Sequence, residues 1–269
     1  MWFRKVTAFV IRDFLWDMSY PLNFFWRGGS IFFSLVTFYF LGRLVGGTTA
    51  GLAAYGGGGY FPFVLVGLAL AGFQSVALTS ITMAMQYGMY TGTLEAMLVT
   101  PTSLSTIVFS SVLYRFVSAL LSIVIYLAFG ALLFGFPLAQ ADFLAAAVVL
   151  GLALLAHLPL GIFSASFLLI FKRGDPITSL VGHLSALLAG VYFPLAVLPG
   201  WLQTVSFFLP FTHALEGLRQ AVLNGRTVVE LSTQIMVLSI FAVILLPLSL
   251  AVFSYSIYQA KRLGTLSQF

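Results

Sequence analysis

The sequence predicts an all-α membrane protein: six transmembrane helices, an N-terminal interfacial helix and an outward re-entrant helical hairpin before the last span. Three observations carry this. First, only 7% of the 269 residues are charged and 61% are hydrophobic, with a mean hydropathy of +1.07. Soluble domains carry about 25% charged residues, and a chain this apolar would leave large greasy patches in water. Second, the stretches 28–42, 44–94, 116–141, 143–171, 176–215 and 231–260 contain no Asp, Glu, Lys or Arg. A bilayer core of about 30 Å needs roughly 20 apolar helical residues, so these stretches supply six spans. Third, Pro194, Pro199 and Pro210 cut one apolar stretch into fragments too short to cross. The spans leave no room for a soluble catalytic domain of about 100 residues, so 1–269 reads as one transmembrane domain.

Each element follows from local signals. Within 1–26, Trp2, Phe3, Val6, Phe9 and Val10 share one helical face opposite Arg4, Lys5 and Arg12, the pattern of a helix lying in the membrane interface. Phe24, Phe25 and Trp26 form an aromatic belt. Pro21 redirects the chain, and Arg27, Gly28 and Gly29 open the first span, which runs to about Leu44 with Arg43 snorkelling at its far end. The glycine-rich stretch 46–59 is a loop. The second span covers about Tyr60 to Gln86 and is followed by a mixed segment, 87–105, holding a short helix ended by Pro101. The third span runs from about Ile107 to Phe134. The fourth, about Phe143 to Phe171, is closed by Lys172, Arg173, Gly174, Asp175 and Pro176, and the fifth covers about Ile177 to Phe193. Residues 194–223 form the hairpin, Asn224 and Gly225 turn the chain, and the sixth span runs from about Leu231 to Tyr258.

Basic residues orient these spans. With the N terminus inside, Arg4, Lys5, Arg12, Arg27, Arg115, Lys172, Arg173, Lys261 and Arg262 are cytoplasmic, against Arg43, Arg219 and Arg226 outside. The expectation is a multi-pass protein of the cell (inner or plasma) membrane with both termini cytoplasmic, 87–105 inside and the hairpin outside. The first apolar run is broken by Arg4, Lys5, Arg12, Asp13 and Asp17, unlike a cleavable signal core. The chain holds no cysteine, which excludes disulfides, thiolate metal sites and thiol nucleophiles. No metal-ligand spacing such as H-E-x-x-H occurs, and the scattered basic residues suit span orientation rather than nucleic acid.

Two blocks resemble a known family. The segment Gly92-Thr93-Leu94-Glu95-Ala96-Met97-Leu98-Val99-Thr100-Pro101 resembles the GTLE-x-x-L-x-x-P segment of the ATP-binding cassette (ABC) type-2 exporter permeases. Phe193-Pro194, Leu198-Pro199-x-Trp201-Leu202, Leu209-Pro210 and the run His213 to Arg219 are similar to that family's block before the last span. Both look more like the drug and lipid exporters than the polysaccharide branch. The resemblance implies a membrane subunit that pairs with a second permease copy as a homodimer, with two copies of a separate ABC ATPase docking on the loop between the second and third spans and carrying the ATP and Mg. In agreement, no phosphate-binding G-x-x-x-x-G-K-[ST] loop is present, since none of Lys5, Lys172 and Lys261 follows a glycine. No catalytic residue, metal or cofactor is expected on this chain.

Candidate site residues fall in three groups. Gly92, Thr93, Leu94, Glu95, Met97, Leu98 and Pro101 are the ATPase-coupling set; Glu95 is the only charge between Arg43 and Arg115. Pro194, Pro199, Trp201, Pro210, Glu216 and Arg219 are the exit-gate set, although Glu216 and Arg219, three apart, also read as a surface pair at the outer interface. Gln74, Thr79, Arg115 and His157 are substrate-pathway candidates. Each has a plainer reading: interhelical hydrogen bonds for Gln74 and Thr79, a snorkelling anchor for Arg115, and for His157 a structural role at the Leu155 carbonyl that Pro159 frees. The function so implied is ATP-driven export of a hydrophobic or amphipathic substrate: a drug-like metabolite, lipid or lipid-linked glycan. The alternative is a secondary transporter or channel not driven by ATP. A secondary transporter predicts buried Asp, Glu or paired polar residues at the midplane, and the sequence shows none. An intramembrane enzyme needs a convergent set of acids and histidines, but His157, His183 and His213 fall at different predicted depths.

Overall fold

The computed structural model describes residues 2–45, 59–90, 104–171 and 176–262. Among these the chain is helical, with no strand. The helices are α1 (Trp2–Met18), α2 (Pro21–Val45), α3 (Tyr60–Tyr90), α4 (Leu104–Phe134), α5 (Phe143–Phe171), α6 (Pro176–Leu188), α7 (Gly200–Phe207), α8 (Pro210–Leu223) and α9 (Ser232–Arg262), with a 3₁₀ turn over Leu195–Val197. Four helical stretches, Tyr60–Gly88, Val112–Phe134, Phe143–Phe171 and Ser232–Ala260, are long and apolar enough to cross a membrane. This is a multi-pass membrane protein. α2 occupies the first predicted span, with Arg27 and Arg43 lying inside its two ends. The fifth is helical only over Pro176–Leu188. At 1.5 Å per residue that is about 20 Å, and the chain then turns at Gly190, whose φ of 77° suits glycine. The predicted interfacial segment 1–26 is shorter than expected, ending at Met18, because Pro21 opens α2 in its first turn rather than merely redirecting the chain.

α3 is the hub, most of its span being buried. α4 runs antiparallel to it: Gly130 faces Leu65 near one end of the pair, and the Phe73 and Phe116 rings meet 5.8 Å apart further along. α5 lies alongside in the same direction as α3. Its buried residues Ala153, His157, Gly161 and Ala165 recur every fourth position and form a stripe of mostly small side chains. Such a stripe lets two backbones approach where lipid gives helices no hydrophobic drive to associate. A Cβ on Gly161 would lie 2.3 Å from the Ala77 carbonyl oxygen of α3. α9 packs chiefly on α5, and most of its residues are exposed or only half-buried. α1 lies against α4, with Phe14 edge-on to Tyr114 at 6.4 Å, while Ile11, Leu15 and Met18 stay exposed. Arg27 anchors the start of α2 to α4 through the Ser118 hydroxyl and, at 3.1 Å, the Ser118 carbonyl.

Turns at the end where α3 and α5 begin are fixed by specific chemistry. Asp142 caps α5, accepting a 2.9 Å bond from the Ala145 N–H, and its own N–H donates to the Ala221 carbonyl. Gly225 has a φ of 62°, and a Cβ there would strike the Gln140 carbonyl at 2.2 Å. Glu230 accepts from both the Thr227 N–H (2.8 Å) and the Thr227 hydroxyl (2.9 Å), the carboxylate half of a capping box before α9. These two donors hold the Glu230 carboxyl below the usual carboxylate range.

Candidate functional site

The re-entrant hairpin is a descending α7 and an ascending α8. α8 runs antiparallel to α5: Ala221 meets Asp142 at the end of the bundle, Gly217 faces Val149, and the Phe211 ring stands edge-on to His157 at 5.8 Å. Pro210 therefore lies deep and Leu223 near the surface, with a climb of about 20 Å. Each helix is opened by a proline that needs no donor partner, Pro199 before α7 and Pro210 at the first position of α8. Nearly every residue of α8 is buried.

Most of the hairpin's polar atoms are answered inside the protein, as irregular backbone at membrane depth requires, the buried Thr212 hydroxyl being an exception with no partner among the described residues. The Ser206 hydroxyl donates to Leu188 O (2.7 Å) at the end of α6. Arg219, only 2% exposed, donates from Nε to Phe63 O (3.2 Å) and from Nη2 to Val191 O (3.1 Å). Its guanidinium carbon stands 3.4 Å from the centre of the Phe63 ring, a cation–π contact. The surface placement read for Arg219 is thus corrected: α8 folds back into the bundle, so the Arg219 guanidinium meets backbone carbonyls instead of water. Glu216 accepts from Gln220 Nε2 (2.8 Å), and Gln220 in turn accepts from Asn224, a ladder along α8. Phe38 stacks on Tyr192 (5.8 Å), bringing α2 to the same junction.

The other exit-gate residues divide. Pro210 is buried, Pro194 half-buried and Pro199 exposed. Trp201 is 69% exposed and shares the outer face of α7 with Val205, a face that Phe208 continues just past the helix end. That unpartnered stripe is apolar.

Of the pathway residues, the contact of Ala77 with Gly161 sets the α3–α5 register and brings Gln74 and His157 to nearly the same depth on facing stripes. Both are buried, and neither Gln74 Nε2 nor His157 Nε2 has a hydrogen-bond partner among the described residues. His157 Nδ1 bonds the Ala153 carbonyl at 2.6 Å. Its partner is therefore one turn back in its own helix and not the Leu155 carbonyl. Thr79 is half-buried with its hydroxyl on Ser75 O (2.8 Å), and Arg115 is exposed on α4. The structure does not join these last two to the Gln74–His157 level. Gly92, Thr93, Leu94, Glu95, Met97, Leu98 and Pro101 lie outside the described residues. Sequence reasoning missed Gly67 and Phe63, which form the socket for Arg219, and Ser118, which holds Arg27. An isolated glycine within an apolar helical run was the one available signal for Gly67.

A family model described as ABC-2 type transporter matches residues 6–223, from within α1 to the end of α8. No curated protein sequence matches the chain.

Proposed function

Since the chain belongs to the ABC-2 type transporter family and so is a permease component, we propose that it exports a hydrophobic or amphipathic substrate, powered by a separate ABC ATPase. Two ATPase copies bind MgATP and dock on the 87–105 segment, and a second permease copy completes the pathway. The substrate, a drug-like metabolite, lipid or lipid-linked glycan, leaves the cytoplasm or the inner leaflet of the cell membrane through the α7–α8 hairpin.

The observation that supports this reading best is the hairpin itself, set into one half of the bundle at the end opposite the one where α3 ends and α4 begins. Among the described residues whose burial is resolved, Arg219 is the one buried charge, and it is engaged by carbonyls. An interior of this kind suits an apolar or amphipathic passenger better than a small hydrophilic ion. The exposed stripe of Trp201, Val205 and Phe208 is the surface assigned to the second copy.

Orientation is tested by cysteine labelling, which is clean because the chain holds none. With the hairpin outside, an impermeant thiol reagent on intact cells labels Val229→Cys, at a position 81% exposed before α9. It spares Arg262→Cys; the opposite pattern inverts the topology. Function is tested in liposomes holding the permease and its ATPase, with ATP-driven movement of a fluorescent phospholipid as the readout. A Trp201→Cys crosslink between two copies should stop that movement while ATP still binds. Undiminished movement in efficiently crosslinked protein refutes the gate.

A further inference from the structure

We infer that Gly67 of α3 and Arg219 of α8 are a positioning pair that seats the re-entrant hairpin, locking it to α3 and to the broken end of α6. The consequence for transport rests on the exit-gate reading above; the seat itself does not.

Gly67 lies about 10 Å below the start of α3. A Cβ on it would come within 2.6 Å of Val191 O and 2.9 Å of Arg219 Nη2. Real Cβ atoms do not tolerate such contacts, and the first is with backbone. The missing side chain is therefore what admits the Val191 carbonyl and the guanidinium to the same point on α3. Arg219 fills the space with a planar fork. One nitrogen answers Phe63 O on α3, another answers Val191 O beyond α6, and the plane lies against the Phe63 ring. Lysine offers one compact charge and no plane to stack, so it cannot reproduce this three-way contact.

The seat holds because separation is costly on both sides. Val191 belongs to the irregular chain that follows α6, and Leu188 O, at the helix end, takes the Ser206 hydroxyl of α7. Lifting the hairpin withdraws both donors at membrane depth and strips a buried guanidinium of its acceptors. The end of α6 and the hairpin consequently move as one body relative to α3, and opening must pass through the Gly67 contact.

The test uses spin labels on Phe40→Cys in α2 and Gln203→Cys in α7, both exposed positions, in the intact permease–ATPase complex. Gly67→Ala and Arg219→Gln should each shift or broaden the inter-label distance distribution. Gly72→Ala, where an added Cβ meets nothing within 4 Å, should leave it unchanged. Arg219→Lys should fall between wild type and Arg219→Gln. Because both changes open one contact, the Gly67→Ala/Arg219→Gln double variant should move the hairpin no further than the larger single change. ATP-driven movement of the fluorescent phospholipid should fall about tenfold, the loss expected for roughly one charge-assisted hydrogen bond. Wild-type distances in folded Gly67→Ala and Arg219→Gln overturn the seat. A displaced hairpin with wild-type phospholipid movement keeps the seat and refutes the exit gate. If Gly67→Ala does not fold, the two Arg219 variants decide the matter by the same distances.

Discussion

Gly161→Leu should abolish assembly of the helical bundle, and Gly161→Ala should destabilise it by about 1–3 kcal/mol, the usual cost of overpacking a tight contact. The first atom that a new side chain meets is the Ala77 carbonyl oxygen at 2.3 Å. That atom is backbone and cannot rotate away, so α3 and α5 must separate along their whole contact. The Gln74–His157 level lies one turn from this crossing and opens with it. Gly151, on the same helix, has nothing within 4 Å of its would-be Cβ. Gly151→Ala should therefore stay within about 1 kcal/mol of wild type and gain slightly in helix propensity. Thermal unfolding in detergent, read by loss of monodisperse protein, separates the two. Equal tolerance of alanine at both positions rules out the close crossing.

The second large effect is functional. Glu95→Arg should leave the permease folded and dimeric but detach it from its ATPase, or leave ATP hydrolysis deaf to substrate. Glu95 is the only charged side chain between Arg43 and Arg115, within an otherwise apolar and hydroxyl-bearing segment. Reversing a charge that a partner desolvates costs on the order of 2–5 kcal/mol, at least about thirtyfold in affinity. Co-purification of tagged ATPase with the variant measures docking, and movement of the fluorescent phospholipid measures coupling. Wild-type values for both remove Glu95 from the contact. Glu95→Gln distinguishes charge from shape, since a hydrogen-bonding role tolerates the amide and an ionic one does not.

Much of the fold was legible because lipid imposes it. Once the backbone must bond to itself, charge-free runs of sufficient length become helices, and α5 begins and ends at the predicted Phe143 and Phe171. Proline spacing likewise exposed the hairpin, since Pro194, Pro199 and Pro210 cannot continue a span. Helix ends were less legible. The fifth segment stops being helical at Leu188 because Gly190 takes a positive φ and the Leu188 and Val191 carbonyls on either side of it find donors on the hairpin, information held by residues some fifteen to thirty positions later.

What the sequence by itself determined is the class, the order of the elements and the family, all of which follow from composition, from where charges and prolines fall, and from two motif blocks. The tertiary structure decided which side chains meet. Arg219 looks like a surface cation on an amphipathic segment, and only the folding back of α8 buries it against Phe63, Val191 and Gly67. Gly67 looks like one more small residue in a transmembrane run, and only the carbonyl of a distant turn makes its missing Cβ matter. The physical reason is that hydropathy and periodicity report on the solvent around one helix, whereas a buried donor or a missing side chain acquires meaning from an acceptor or a neighbour on another helix, which local sequence does not encode.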